Sequence, residues 1–153
     1  MIYVECKPDE ALVRLTAGIT RKEIVHELKG KYEVLKRLDA GSNYVALLDE
    51  DPRSIQPSSL KRMVVQQEPP NTQLKVLYDS RRNNRIILLY PRLEEWVITA
   101  AEETRIDMDA YGLPSRGQAL HKIINDDLRK FERLLSALRG SQRLTALGQL
   151  LRQ

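Results

Sequence analysis

The stretch that decides the fold is Asn43 to Pro52, NYVALLDEDP. Residues 44–48 are continuously apolar, which is typical of a β-strand that is covered on both faces. Asp49, Glu50 and Asp51 then end the apolar run abruptly, and Pro52 has no backbone N–H to continue a strand ladder. The segment therefore predicts a buried strand with a cluster of acids at its carboxyl end.

Shorter patterns before this strand alternate between strand and helix. Ile2–Val4 favours a strand that ends at Glu5, and Asp9–Leu15 has apolar residues at helical spacing. We predict a second strand at Glu23–Leu28 and a helix at Tyr32–Leu38. The order strand, helix, strand, helix, strand is typical of a parallel α/β sheet.

The sequence after this strand predicts two more strands and a helix. Pro52–Thr72 is punctuated by prolines and is predicted to be mostly loop, with a short helical stretch at Ser59–Met63. Leu74–Tyr78 and Ile86–Tyr90 favour strands, whereas Leu93–Glu103 has the spacing of an amphipathic helix. We therefore expect an α/β fold with a mostly parallel sheet flanked by helices.

Residues 113–153 have a different pattern, which is helical and basic. Apolar residues recur every three or four positions, and Gly140 separates a final short helix from the rest. The segment holds eight Lys and Arg against three Asp and Glu, a net charge of +5 within a chain of net +4. We expect an α/β domain over residues 1–112 and a helical extension that packs on the same core. The basic side chains fit either a solvated helix face or a phosphate-contacting surface, and the last leucines fit either the core or a partner-binding helix.

Length and composition predict one globular domain. The chain has 153 residues, of which 42% are hydrophobic and 30% charged, and it has a single cysteine, Cys6. No apolar run reaches the ~18 residues of a membrane helix, and the first residues lack the pattern of a secretory signal. Because one cysteine cannot form an internal disulfide, we expect a cytoplasmic protein. The two histidines, His26 and His121, are expected to be packed or surface residues rather than ligands.

Acidic residues lie at or just after the ends of three predicted strands: Glu5 and Asp9, Asp49 and Asp51, and Glu94. In open parallel sheets, ligands bind at the carboxyl edge of the strands. Carboxylates that gather without opposing charge suit a hard cation such as Mg²⁺, which also accepts phosphate oxygens. The pattern therefore indicates metal-assisted attack on a phosphodiester or phosphoryl group. Each acid taken singly also has a structural explanation, as a turn residue or as an acid near a helix N-terminus.

Three short motifs resemble the Toprim fold, in particular the Toprim domain of OLD-type nucleases. VECKPD at residues 4–9 is similar to a strand that ends in glutamate, with a second acid four residues on. VALLDEDP at residues 45–52 resembles the hydrophobic strand that ends in Asp-x-Asp, and PRLEEW at residues 91–96 resembles an element found downstream in OLD-type members. The resemblance covers residues 1–103.

The resemblance implies a metal-dependent protein that acts on nucleic-acid phosphodiester bonds as a nuclease or nuclease-like subunit. The implied metal is Mg²⁺, with Mn²⁺ as a second possibility. By position, Glu5 would be the catalytic general acid or base, or a metal ligand. Asp49 and Asp51 would be Mg²⁺ ligands, and Asp9 and Glu94 would be additional carboxylates for a second ion.

Nucleic acid is the expected partner, and no membrane partner is expected. Arg129, Lys130 and Arg133 on the basic extension would contact the nucleic-acid backbone. Cys6 stands where the Toprim family usually has glycine, and no ATPase domain accompanies the motifs, so a stand-alone and a partner-dependent nuclease are both open. The alternative is a non-catalytic interaction module or homodimer that uses the C-terminal helices.

Overall fold

Six strands and seven α-helices form within residues 1–26 and 30–153, which are the residues that the computed structural model describes. The strands are β1 (Ile2–Val4), β2 (Ile24–His26), β3 (Val45–Asp49), β4 (Val64–Gln67), β5 (Leu74–Asp79) and β6 (Asn84–Leu89). The helices are α1 (Lys7–Ala17), α2 (Lys31–Asp39), α3 (Ser58–Lys61), α4 (Leu93–Glu103), α5 (Gly117–Asp126), α6 (Leu128–Ala137) and α7 (Gln142–Arg152). None of these helices has the length and hydropathy needed to span a membrane.

The strands form one mixed sheet in the order β2-β1-β3-β6-β5-β4. β2, β1, β3 and β6 run parallel to one another, whereas β5 runs antiparallel to both β6 and β4. The chain places β2 on one side of β1 and β3 on the other, so the strand order reverses between β1 and β3. Ligands bind at such a reversal, outside the carboxyl ends of the strands, in open α/β sheets.

The α/β class is confirmed and three of the five strand pairings are parallel, but the sheet is mixed, because β5 pairs antiparallel with both β6 and β4, which the sequence pattern did not predict. Residues 80–83 form a tight turn, in which Asn83 has a φ of 55°, and a tight turn joins antiparallel strands only. β4 lies inside Pro52–Thr72, which we predicted to be mostly loop. Of the predicted strand Glu23–Leu28, residues 24–26 form β2, and residues 27 and 28 lie outside the described residues.

The helical C-terminal segment consists of α5, α6 and α7. An extended backbone at Asp127, with a φ of −134°, separates α5 from α6 where the apolar spacing alone predicts one continuous helix. Phe131 of α6 and Leu147 of α7 belong to the same buried cluster as Val4 of β1 and Leu12 of α1. The apolar face of α7 is therefore buried in the protein core.

The two faces of the sheet are covered unequally. One face packs against α1, α4, α5, α6 and α7, and the buried side chains of Trp96 and Phe131 lie within this larger core. The other face packs against α2 and the four-residue helix α3, whose Leu60 lies over Leu77 and Ile86 in the smaller core. Near β4 and β5, this second face is therefore covered by α3.

Candidate functional site

The carboxyl ends of β1, β3 and β6 bring acidic residues to one edge of the sheet. Glu5 directly follows β1, and Asp49 is the last residue of β3, where it pairs with Leu89 of β6. Glu94 lies in the first turn of α4, which follows β6, and Asp9 lies in the first turn of α1. Because β1, β3 and β6 are consecutive neighbours in the sheet, these side chains come from adjacent strand ends.

Asp49 and Asp9 are held in surroundings that disfavour their ionised forms. Burial raises the pKa of Asp49 to about 9, and the charges of Asp9 and Glu94 act in the same direction. Burial also raises the pKa of Asp9 to about 7, where the charges of Glu5 and Glu94 add to the effect. Asp9 is 5% exposed and Glu94 is 7% exposed. In their ionised forms these carboxyl groups therefore repel one another in a shared environment from which water is largely excluded.

Glu5 joins the same group of charges. Burial raises its pKa, as do the charges of Asp51 and Glu94, whereas the positive charge and backbone N–H of Lys31 lower it. Asp51 has a φ of 46°, and its N–H donates to the carbonyl of Pro91 at 2.8 Å, which fixes the loop after β3 against the start of α4. Four of the five predicted carboxylates, Glu5, Asp9, Asp49 and Glu94, thus act on one another electrostatically, and Asp51 acts on Glu5.

The hydrogen bonds of the acids point in different directions. Asp49 Oδ1 accepts the N–H of Leu93, the first residue of α4, at 2.9 Å. Asp9 Oδ2 accepts from the thiol of Cys6 at 3.1 Å, and burial together with the charge of Asp9 raises the thiol pKa, so that Cys6 stays a protonated donor. These two acids therefore also have structural roles, at the starts of α4 and α1.

These residues are of the right chemical type to bind a metal ion, but their side chains are not arranged around one point. Carboxylate oxygens are the ligands that Mg²⁺ prefers, and Glu5 Oε1 is buried without a hydrogen-bond partner among the described residues. Within residues 1–26 and 30–153, however, no group of three or more His, Cys, Asp or Glu side chains is arranged so that it could hold a metal ion. Asp9 and Asp49 turn instead toward separate hydrogen-bond partners, Cys6 and Leu93.

A cavity of about 280 Å³ opens beside Asp49 and Glu94. This volume is close to the lower limit of ligand sites, ~300 Å³. The other residues around it come from the start of α4 and from α5: Arg92, Gly117, Gln118, His121 and Lys122. Acidic and basic groups therefore face the same small space.

His121 is one of the residues beside the carboxylates that sequence reasoning missed, together with Arg92 and Lys122. Its Nδ1 lies 2.5 Å from Glu94 Oε1, and 67% of the side chain is exposed. Twenty-seven positions separate the two residues, and no local pattern joins them. The packing of α5 against α4 brings them together, which is a tertiary feature that residue spacing does not encode.

The three residues predicted to bind nucleic acid lie on a different element. Arg129, Lys130 and Arg133 belong to α6, where Arg129 and Arg133 are exposed and the Lys130 side chain lies close to Gly112. In the described part of the chain, no hydrogen bond or ion pair joins them to the carboxylates. Their contact with nucleic acid stays a prediction.

No family model matches this chain, and no match was found among curated proteins or among solved structures. Function is therefore inferred from the side chains at the strand ends.

Proposed function

We propose that this chain is a Mg²⁺-dependent, Toprim-like protein that acts on nucleic-acid phosphodiester bonds, as a nuclease or nuclease-like subunit. One observation carries the proposal: Glu5, Asp49 and Glu94 meet at the carboxyl ends of three adjacent parallel strands. This edge includes the reversal of strand order, which is the ligand-binding position of open α/β sheets.

The raised pKa values of Asp9 and Asp49 support a cation at this edge. Ionising two buried, mutually repelling carboxyls is unfavourable, and a nearby divalent cation offsets that repulsion. In this proposal Glu5, Asp49 and Asp51 would turn toward one Mg²⁺, because the described side chains are not arranged to hold a metal ion as they stand, and Asp9 and Glu94 would be the additional carboxylates. When bound, Mg²⁺ would polarise a phosphoryl oxygen and activate water.

The basic side of the cavity supports a phosphate ester as the substrate. Arg92, His121 and Lys122 face the same space as Asp49 and Glu94. Lys122 forms no ion pair with another residue in the described ranges, so its charge is available to phosphate oxygens, whereas Arg92 is paired with Glu95. Charge-assisted hydrogen bonds from such groups would orient a phosphate toward the carboxylates.

A cleavage assay with single-stranded DNA, double-stranded DNA and RNA tests the proposal. We expect cleavage in Mg²⁺ or Mn²⁺, none in EDTA, and a loss of about 100-fold or more in Asp49→Asn, because ion and substrate orientation depend on that carboxylate. Asp109→Asn is the matched control, since Asp109 is exposed on a separate turn. Cleavage in EDTA, or full activity in Asp49→Asn, would contradict the proposal.

The second candidate, a non-catalytic interaction module, needs a docking surface other than the C-terminal helices. The apolar side chains of α7, among them Leu144, Leu147 and Leu150, are buried in the core against α1. The described surface does offer an exposed apolar edge elsewhere, at β4. The absence both of cleavage and of any stabilisation by Mg²⁺ would favour this candidate.

A further inference from the structure

We propose that β4 and the apolar groove beside it form the surface through which two copies of this chain associate. β4 is the last strand of the sheet and pairs on one side with β5. The outer backbone N–H and C=O groups of an edge strand are available to a strand of another chain. The groove reaches Glu50 and Pro52, next to Asp49 and Asp51, but β4 itself lies at the far edge of the sheet, and its use does not depend on the proposed function.

β4 exposes apolar side chains on both of its faces. Val64 is 62% exposed and Val65 is 54% exposed, and successive residues of a strand point to opposite faces. As long as β4 is unpaired on its outer side, both valines therefore expose apolar surface to water. A partner strand would bury part of both.

A groove of about 450 Å³ continues this apolar surface onto the thinly covered face of the sheet. Its apolar lining comes from Leu60, Met63, Val65, Leu77 and Leu88. Only α2 and α3 cover this face in the described structure, and α3 is four residues long. The groove and the edge are therefore one continuous surface that shares Val65.

The charges that flank β4 are complementary to a second copy of the same strand. Antiparallel pairing about a two-fold axis through Val65 places Val65 opposite Val65, and it brings Arg62, at the end of α3, to the same end of the interface as Glu68 of the second copy. The same axis repeats the Arg62–Glu68 pair on the other side. Both residues are exposed, and each has one long ion pair within the chain: Asp39 lies 3.8 Å from Arg62, and Lys75 lies 3.9 Å from Glu68. The uncharged strand β4 is thus flanked by opposite charges on its two sides.

This charge pattern favours a second copy over nucleic acid. A nucleic-acid surface requires one continuous sign of charge, because every phosphate is negative. The Arg62–Glu68 segment is neutral in total and self-complementary about its centre, as a symmetric two-fold interface requires.

A β-bulge limits the length of the pairing. The register on β5 skips Gln66, because Val65 pairs with Leu77 and Gln67 pairs with Val76. Bulges bend an edge and shorten the stretch that a partner strand can follow. Strand pairing is therefore confined to Val64–Gln67, and the interface needs the flanking Arg62 and Glu68 and the groove to complete its buried area.

Sedimentation velocity of the full chain tests the proposal, from about 1 µM to about 300 µM. We expect a monomer–dimer equilibrium that Arg62→Glu and Glu68→Arg each weaken by about tenfold, because each change sets like charges opposite one another. The double variant restores the pair with its signs exchanged and should recover wild-type association. Lys36→Glu, an exposed change of the same sign on α2, should leave the dissociation constant unchanged.

Hydrogen exchange gives a local readout on the same samples. The amides of residues 63–68 should become more protected as the protein concentration rises, because they acquire partners in the dimer. A wild-type protein that stays monomeric over the whole range would overturn the proposal. So would a dimer that neither charge reversal weakens, or one that the double variant fails to restore.

Discussion

Asp49 combines a structural and a chemical role at the end of β3. Its Oδ1 accepts the N–H of Leu93 and so satisfies an open donor in the first turn of α4. Its charge is also one of several that repel one another at the strand ends. Because asparagine keeps an Oδ1 acceptor but carries no charge, Asp49→Asn separates the two roles.

The raised pKa values of Asp9 and Asp49 predict that stability falls as pH rises. The folded-state values are about 7 and about 9, whereas an unfolded aspartate has a pKa of ~3.9. Between these values the folded state binds more protons than the unfolded state. The stabilisation that these two groups contribute is therefore complete below pH ~4, and it is lost as pH rises through the folded-state pKa values of about 7 and about 9. Urea unfolding at pH 5.5, 7 and 9, in EDTA, measures this loss.

Asp49→Asn should remove much of this pH dependence, because the neutral amide has no proton to lose. Asp109→Asn should keep the wild-type dependence, since Asp109 is exposed on a separate turn. A free energy of unfolding that rises between pH 5.5 and 9 would be incompatible with the electrostatics described for these acids.

The sequence identifies the acids of the site better than the other residues around it. Glu5 and Asp49 stand directly after apolar strands, so the strand pattern alone places them at one edge of a parallel sheet. His121 and Lys122 carry no such signal, because the packing of α5 determines which side chains meet the acids. The turn of each carboxylate toward its own hydrogen-bond partner is also a tertiary outcome.

At the scale of elements, Arg143 connects α7 to the rest of the protein. It is 4% exposed, and its Nε donates to Glu103 Oε1 of α4 at 2.7 Å. Its Nη1 donates to the carbonyl of Thr72 at 3.3 Å and to Gln73 Oε1 at 2.9 Å, just before β5. One side chain thus joins three parts of the fold.

Arg143→Met should lower the free energy of unfolding by about 1–3 kcal/mol, because these hydrogen bonds are lost from a buried position. The effect should stay moderate, since Trp96 also donates to the Thr72 carbonyl and Glu103 is half exposed and can be hydrated. Urea unfolding measures it. Arg139→Met, at an exposed position, should change stability by less than about 0.5 kcal/mol; equal effects of the two changes would contradict this role of Arg143.

Leu147→Ala tests whether α7 shares its core with the α/β part. Leu147 is fully buried with residues of α1, so the change should cost about 2–5 kcal/mol. Fluorescence of Trp96, the single tryptophan, and far-ultraviolet circular dichroism should report one coincident transition. A separate early transition seen by circular dichroism alone would show that the helical extension unfolds independently.

Elements with a long periodic pattern are predictable from the sequence, and short edge elements are not. α4 has the predicted bounds Leu93–Glu103, because its apolar residues repeat through three turns. β4 was missed, since its four residues VVQQ are exposed or half-buried and stand among prolines. An edge strand is fixed by pairing with its neighbour, which the local sequence does not show.

At the scale of the whole molecule, the order of elements predicts the class, and the hairpin of β5 and β6 changes the topology. β1 to β3 and their helices build the parallel half, whose carboxyl edge holds the acids. β5 and β4 extend the sheet in antiparallel pairing and leave an open edge. The protein therefore has two surfaces of interest, the acidic edge at the strand ends and the apolar edge at β4.

The most direct test of the central claim is calorimetric titration of Mg²⁺ into the full chain at neutral pH, in buffers that differ in ionisation enthalpy. We expect saturable binding that releases protons, because the cation selects the ionised forms of Asp9 and Asp49, whose folded pKa values are about 7 and about 9. Asp49→Asn should weaken binding by about tenfold or more. The absence of saturable binding up to about 20 mM Mg²⁺, or binding that is proton-independent and unchanged in Asp49→Asn, would contradict a cation site at these strand ends.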